Sequence, residues 1–124
     1  MNNGLKELMI DESEVLISEI ARLKKFIAIA EDGAVLLKFY TDIALYKVLA
    51  YMIGKLVVAK IKTDATPSLT LGDLAVLSGL RGSDLQSLVD RSKYIVYFGH
   101  GQYRFNTVHL REALEELEKA VSSE

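Results

Sequence analysis

The feature that most constrains the fold is a closely spaced set of helix and turn signals within residues 69–106. Two polar pairs there have the three-residue spacing of a helix capping box: Thr70 with Asp73, and Ser83 with Gln86. These pairs predict helices over about 71–79 and 84–92. The stretch between them, Gly79-Leu80-Arg81-Gly82, is long enough only for a tight turn, so the two helices are expected to pack together.

A β-hairpin is predicted directly after the second of these helices. Residues 94–98 and 102–105 are rich in aromatic and β-branched side chains, and they flank the tripeptide Gly99-His100-Gly101. Runs of this kind around a glycine-rich tip are typical of a two-stranded hairpin. Residues 69–106 therefore predict a helix pair followed by a small antiparallel sheet.

The preceding part of the chain predicts mainly helix. Four apolar residues recur at helical spacing and predict an amphipathic helix over 12–29: Leu16, Ile20, Leu23 and Ile27. Gly33 is expected to end this helix, and the short apolar run 34–40 suits a strand. Thr41 can cap a helix over 42–62 that is apolar on nearly every side and therefore belongs at the centre of the domain.

With 124 residues the chain is expected to form one domain, mainly α with a small β-hairpin, which is an α+β fold. Half of its residues are hydrophobic, so it can bury a core, and this balance excludes intrinsic disorder. Within the single domain 1–124 we distinguish four parts: a partly disordered N-terminus over 1–11, a helix and short strand over 12–41, a core over 42–106 and a C-terminal helix over 107–124.

The amino-acid composition also excludes several kinds of functional site. The chain has no cysteine, which excludes a disulfide scaffold, a thiolate metal site and a cysteine nucleophile. Its two histidines, His100 and His109, lack the spacing of a metal-ligand pair, and neither a phosphate-binding loop nor a serine nucleophile motif occurs. We therefore expect no enzyme activity, no cofactor and no metal.

Hydropathy bears on the location of the protein. No apolar stretch approaches the about 20 residues that cross a bilayer, and no secretory signal is recognisable, so we expect a cytoplasmic protein without a membrane partner. Lys and Glu dominate the charged residues and cysteine is absent, a bias that is common in heat-adapted proteins.

The net charge of −2 conceals a segregation along the chain. Residues 81–111 carry five basic side chains and two acidic ones, Asp84 and Asp90, which gives this segment a net charge of +3. The acidic balance of the whole chain argues against a general nucleic-acid coat. Positive charge confined to one face is nevertheless compatible with a nucleic-acid binder.

The spacing of small and apolar residues across the two helices carries a family resemblance. The residues concerned are Leu74-Ala75, Gly79-Leu80, Leu85 and Leu88. Together with the hairpin they resemble the winged helix-turn-helix DNA-binding superfamily, and look most like its small archaeal regulators and MarR-type repressors. The motif covers residues 69–106 and the architecture about 42–106. The resemblance implies a winged helix-turn-helix with flanking N- and C-terminal helices.

The resemblance implies a transcription regulator that binds double-stranded DNA in a sequence-specific way. Helix 84–92 would lie in the major groove, and hairpin 94–105 would act as the wing. The residues implied to read bases are Ser83, Gln86, Ser87 and Arg91. The other implied DNA contacts are Arg81, Lys93, His100, Gln102 and Arg104, of which the lysine and the arginines would hold phosphates.

A second interpretation stays open. Asp84 and Asp90 put two carboxylates on a helix that should face a polyanion, and Ser92-Lys93-Tyr94 replaces the glycine that is usual between this helix and the hairpin. The same residues are compatible with a winged-helix module that docks on a protein within a larger assembly and does not bind DNA.

The last helix is predicted over 108–121, capped by Asn106 or Thr107. Its apolar stripe consists of Leu110, Leu114, Leu117 and Val121. This stripe and that of helix 12–29 either pack on the core or form a homodimer interface, as terminal helices do in MarR-type proteins. We expect a homodimer, because two reader helices about 34 Å apart match successive major grooves. Nothing in the sequence marks a site for a small-molecule effector.

Overall fold

The computed structural model describes residues 3–122, so residues 1–2 of the predicted segment 1–11 and residues 123–124 of the predicted segment 107–124 lie outside the described range. The elements in chain order are α1 (Asn3–Lys6), α2 (Glu12–Ser18), α3 (Ile20–Leu23), β1 (Ile27–Ile29), β2 (Val35–Leu37), α4 (Ala44–Ile61), β3 (Leu69–Thr70), α5 (Leu71–Ser78), α6 (Gly82–Arg91), β4 (Ile95–Tyr97), β5 (Gln102–Phe105), a 3-10 turn (Thr107–His109) and α7 (Leu110–Ser122). The chain is mainly helical with two small antiparallel sheets, which confirms the predicted α+β class.

Helix α4 is the centre of the fold, as its apolar sequence predicts. Eight of its residues are buried, and Val48, Leu49 and Met52 have no exposed surface. Helices α5 and α7 and strands β1, β2 and β5 all contact it. A helix that is apolar on all sides is stable in water only when its neighbours cover it in this way.

The helix pair α5–α6 forms where the sequence predicts it. Thr70 and Asp73 make a complete capping box, in which the Asp73 N–H donates to Thr70 Oγ1 at 3.1 Å and the Thr70 N–H donates to Asp73 Oδ2 at 3.0 Å. Gly79 ends α5 with a φ of 74°, in the left-handed region that glycine adopts without strain. Leu74 and Leu85 are buried and join the pair to the core.

The second predicted capping box, Ser83 with Gln86, is wrong. Helix α6 begins at Gly82, and Arg81 at the capping position makes no side-chain capping hydrogen bond. The Gln86 amide instead donates to Asp90 Oδ1 at 2.9 Å, one turn along the helix. Because the tight turn starts α6 before Ser83, the serine lies within the first turn of the helix and not at its cap.

The predicted hairpin is present, and it is joined by a short strand that the sequence does not indicate. Strand β4 pairs with β5 so that Tyr97 lies opposite Tyr103. Strand β3 pairs with the other edge of β5, which gives the order β3-β5-β4. At the hairpin tip His100 and Gly101 have φ values of 54° and 70°, the consecutive positive values that a type I′ turn requires.

The predicted helix over 12–29 is wrong beyond its first turns. Helix α2 has seven residues, α3 is a single turn, and residues 27–29 form β1, which pairs with β2. Strand β2 lies within the strand predicted over 34–40. Gly33, with a φ of 92°, turns this hairpin and does not end a helix. Both strands pack on α4, so tertiary contact outweighs the helical spacing of the apolar residues, and Ile20 is left 51% exposed.

Most of the apolar stripe of α7, which the sequence analysis considers as a possible homodimer interface, is buried within the chain. Asn106 caps the 3-10 turn that leads into it. Leu110, Leu114 and Leu117 are at most 1% exposed within the single chain, and Val121 is 38% exposed. The three leucines therefore belong to the core of the chain itself, which is the first of the two alternatives that the sequence left open for this stripe.

The close approach of Gly54 in α4 to Val35 in β2 provides a test of this packing. A Cβ atom at Gly54 would lie 2.9 Å from Val35 Cγ2 and closer still to Cγ1. We expect Gly54→Ala to lower the free energy of unfolding by roughly 1–3 kcal/mol in chemical denaturation. In a Val35→Ala background the same change should cost less, because both Cγ atoms are gone.

The matched control is Gly72→Ala in α5. A Cβ atom there meets only Thr70 Oγ1, at 3.6 Å, so the change should be neutral or stabilising by up to about 1 kcal/mol. Equal effects of the two substitutions would contradict the described packing of β2 on α4.

Candidate nucleic-acid interface

Helix α6 has one buried side and one side that faces solvent. Leu85 and Val89 are buried, and Leu88 packs partly against the core, which fixes the helix against α5 and β4. The exposed residues, which we call the outer face, are Arg81, Ser83, Asp84, Gln86, Asp90 and Arg91. Ser87 is half-buried. The structure thus brings the base-reading residues predicted from the sequence together on one helix.

The outer face carries two cations and two carboxylates. Arg81 and Arg91 lie at opposite ends of α6, roughly 15 Å apart along the helix axis. Among residues 3–122 neither arginine takes part in an ion pair. Asp84 and Asp90 balance their charge, so the outer face is neutral as a whole. The bond to Asp90 engages one N–H of the Gln86 amide, whereas its other N–H and its carbonyl oxygen form no hydrogen bond among the described residues.

Lys93, predicted to hold a phosphate, is paired within the chain. Its ammonium donates to Glu112 on α7 and lies 5.4 Å from the centre of the Tyr94 ring. Glu112 also contacts His109 Nδ1 at 2.7 Å. The hydrogen bond with Glu112 raises the pKa of Lys93, and the same bond together with that of His109 lowers the pKa of Glu112. The positive charge that Lys93 could offer a phosphate is therefore already balanced by Glu112.

Arg104, the other predicted phosphate contact, is also paired. It lies on β5 opposite Val96 and donates to Glu12 at the start of α2. Glu12 accepts a second hydrogen bond from Thr107 Oγ1 at 2.5 Å, and the Lys60 ammonium lies 3.2 Å from its other oxygen. Glu12 thereby connects the N-terminal helix to the hairpin and to the end of α4. Burial raises the pKa of Glu12, but the hydrogen bonds from Arg104, Thr107 and Lys60 outweigh burial and leave it below its ordinary value.

Three of the five basic residues in segment 81–111 are neutralised by carboxylates from outside that segment. Besides the two pairs above, Arg111 Nε donates to the nearly buried Glu19 at 3.3 Å. The net charge of +3 that the sequence assigns to this segment is therefore not a net positive surface. Sequence reasoning missed these pairs because the acidic partners of Arg104 and Arg111 lie 92 residues away along the chain.

The hairpin presents aromatic side chains that the sequence did not single out as exposed. Tyr94 and Phe105 are buried, whereas Tyr97 and Phe98 are 57% and 51% exposed. The Gly101 N–H donates to the Tyr97 hydroxyl at 3.2 Å, which links the tip to the strand. Of the three hairpin residues predicted to contact DNA, His100 is exposed at the tip, Gln102 is half-buried and Arg104 is paired with Glu12.

No protein-family model, curated protein or solved structure matches the chain. Within residues 3–122 no helix has the length and apolar character needed to cross a bilayer. In the same part of the chain no three acidic or histidine side chains are grouped so that they could hold a metal ion. A function for the chain therefore has to be inferred from its own surfaces.

The Glu12 cluster makes a prediction about stability. Glu12→Gln should lower the free energy of unfolding at pH 7 by roughly 1–3 kcal/mol, the usual range for hydrogen bonds to a charged group. Because the folded state lowers the pKa of Glu12, its stabilisation is complete above the ordinary value of 4.5 and is lost as the pH falls through the lowered value. The difference between wild type and variant in chemical denaturation should therefore shrink toward acid.

Glu14→Gln is the matched control, since Glu14 lies on the same helix with its side chain exposed and takes part in no ion pair among the described residues. It should leave stability nearly unchanged at every pH. A deficit of Glu12→Gln that stays constant between neutral and acid pH would contradict the described role of the carboxylate.

Proposed function

We propose that the protein binds double-stranded DNA and regulates transcription, with α6 in the major groove and the β4–β5 hairpin as the wing. The observation that carries the proposal is the outer face of α6, a polar and solvent-exposed surface on a helix whose other side is fixed by α5 and the hairpin. An α-helix fits the width of the major groove, about 12 Å, when one side is left uncovered in this way.

The order of the elements supports the proposal. Helix α4 is followed by β3, the tightly linked pair α5–α6 and the β4–β5 hairpin, and β3 pairs with β5. A helix pair braced on a third helix with a hairpin immediately after it is what the resemblance to winged helix-turn-helix proteins predicts.

The outer face has the side chains to read bases, but little excess positive charge. Arg91 can contact guanine and Gln86 can contact adenine, while Asp84 or Asp90 can accept from the amino group of cytosine. Near phosphates the two aspartates are unfavourable. We therefore propose that affinity depends on base contacts and on Arg81 and Arg91, without a contribution from Lys93 and Arg104 while these remain paired.

A homodimer belongs to the proposal, since it would present two copies of α6 to successive major grooves about 34 Å apart. The leucines of α7 cannot supply the interface because they are buried. The N-terminal segment offers exposed apolar side chains instead, with Leu8 and Met9 at 79% and 75% exposure. These residues support an interface at the N-terminal end of the chain.

The alternative function is a docking module that binds another protein and not DNA. Two observations favour it: the outer face of α6 is neutral as a whole, and Tyr97 and Phe98 are more than half exposed on the hairpin. Exposed aromatic side chains are common at the centres of protein interfaces. The two functions make different predictions for DNA. The first predicts binding to duplex DNA that weakens as salt rises, and the second predicts no such binding.

The test is fluorescence anisotropy with a labelled mixed-sequence duplex over a series of salt concentrations. If Arg81 neutralises one phosphate while Arg91 reads a base, the logarithm of the binding constant should fall by about 0.9 per tenfold rise in salt for each bound chain. Arg81→Ala should remove this slope, whereas Arg91→Ala should weaken binding and relax base preference with little change in slope.

Arg111→Ala is the matched control. Arg111 is also an exposed arginine, but it lies on α7 and is paired with Glu19. It should leave the slope unchanged. Absence of any salt-dependent duplex binding would contradict the DNA proposal, and a protein partner whose binding is lost in Phe98→Ser would then establish the docking function.

A further inference from the structure

An open apolar groove of about 420 Å³ lies between the N-terminal helices and the end of α4. Its floor includes the buried residues Leu16, Leu23 and Ile27 from α2, α3 and β1. Its walls include three isoleucines that remain half exposed or more: Ile17, Ile20 and Ile61. The volume lies within the range of about 300–1,000 Å³ that is typical of small-molecule sites.

The charged residues at the groove are all cationic. Lys24 and Lys60 contribute to its lining, and no carboxylate does. Lys60 is paired with Glu12, whereas Lys24 forms no ion pair among residues 3–122. The Lys38 ammonium lies close to the end of the groove that Lys24 lines, because it donates to the Lys24 carbonyl at 2.6 Å. The groove therefore combines an apolar trough with unbalanced positive charge beside it.

We propose that this groove binds a free alkyl carboxylate, with the chain along the isoleucines and the carboxylate at Lys24. The apolar lining favours a hydrocarbon chain because its burial removes apolar surface from water on both sides. The unpaired ammonium favours an anionic head group over a neutral or cationic one. This inference goes beyond DNA binding and does not depend on it.

The extent of the groove favours a single ligand molecule over a protein partner. Its lining runs from Ser13 to Lys24, which is at most about 16 Å along the two helices. A stable interface between proteins buries about 800 Å² on each partner, more than three partly exposed isoleucines can provide. A chain of medium length, such as that of decanoate, matches the groove.

The test is a titration of the isoleucine δ-methyl signals by NMR with decanoate below its micelle concentration. The signals of Ile17, Ile20 and Ile61 should shift in a saturable way. The signal of Ile95 should not, since Ile95 lies in the other sheet. Decyltrimethylammonium has a chain of the same length with a cationic head, and it should bind more weakly than decanoate.

Two variants test the contacts. Ile20→Trp fills the groove at a half-exposed position and should abolish the decanoate shifts, whereas Ile43→Trp, 52% exposed at the opposite end of α4, should leave them intact. Lys24→Glu should weaken binding by roughly two- to fivefold, in line with the energies of exposed ion pairs, and Lys24→Arg should retain it.

Several results would overturn the proposal. One is the absence of saturable shifts at the three isoleucines, and another is equal affinity for the cationic probe. A third is binding to lipid vesicles without binding of monomeric decanoate, which would make the groove a membrane contact. A fourth is a change of oligomeric state in Ile20→Trp without any decanoate binding in the wild type, which would assign the groove to a second copy. The Ile20→Trp variant should bind duplex DNA with the same salt dependence as the wild type. Failure of the alkyl carboxylate proposal can therefore be distinguished from failure of the DNA-binding proposal.

Discussion

Coverage of α4 is the requirement on which the rest of the structure depends. A helix with apolar side chains all around cannot face water on any side, so five other helices and strands pack against it. The β1–β2 hairpin packs close enough that Val35 lies against the backbone at Gly54. Helix α5, strand β5 and helix α7 cover other parts of its surface. The position of α6 follows, because the tight turn after Gly79 fixes it beside α5.

This coverage determines which surfaces are left for function. The leucines of α7 and the buried residues of the hairpin form part of the core. Carboxylates near α4 and α7 form ion pairs with basic side chains that the sequence predicts to contact DNA. Glu12 is the clearest case, since one side chain joins Arg104, Thr107 and Lys60. The surfaces that stay exposed include the outer face of α6, the aromatic end of the hairpin, the apolar groove beside α2 and α3, and the N-terminal residues Leu8 and Met9.

Most parts of the fold with local signals are predicted by the sequence, the exception being the capping box expected at Ser83. The capping box at Thr70, the left-handed Gly79 and the glycine-rich hairpin tip each depend on a few adjacent residues, and all three are present. The strand at 27–29 could not be predicted in the same way, because helical spacing and strand spacing both accommodate Ile27, and contact with α4 decides between them. The candidate site follows this pattern: its outer face on α6 was predictable, whereas the pairing of Arg104 depends on a residue 92 positions away.

The proposed contact between the outer face of α6 and DNA can be tested by an NMR titration of backbone amides with a short duplex. Signals from Arg81 to Arg91 and at the hairpin tip should shift together, while those of α2 and α7 should stay in place. Shifts confined to the N-terminal helices, or shifts spread evenly over the surface at low salt that vanish at physiological salt, would contradict it.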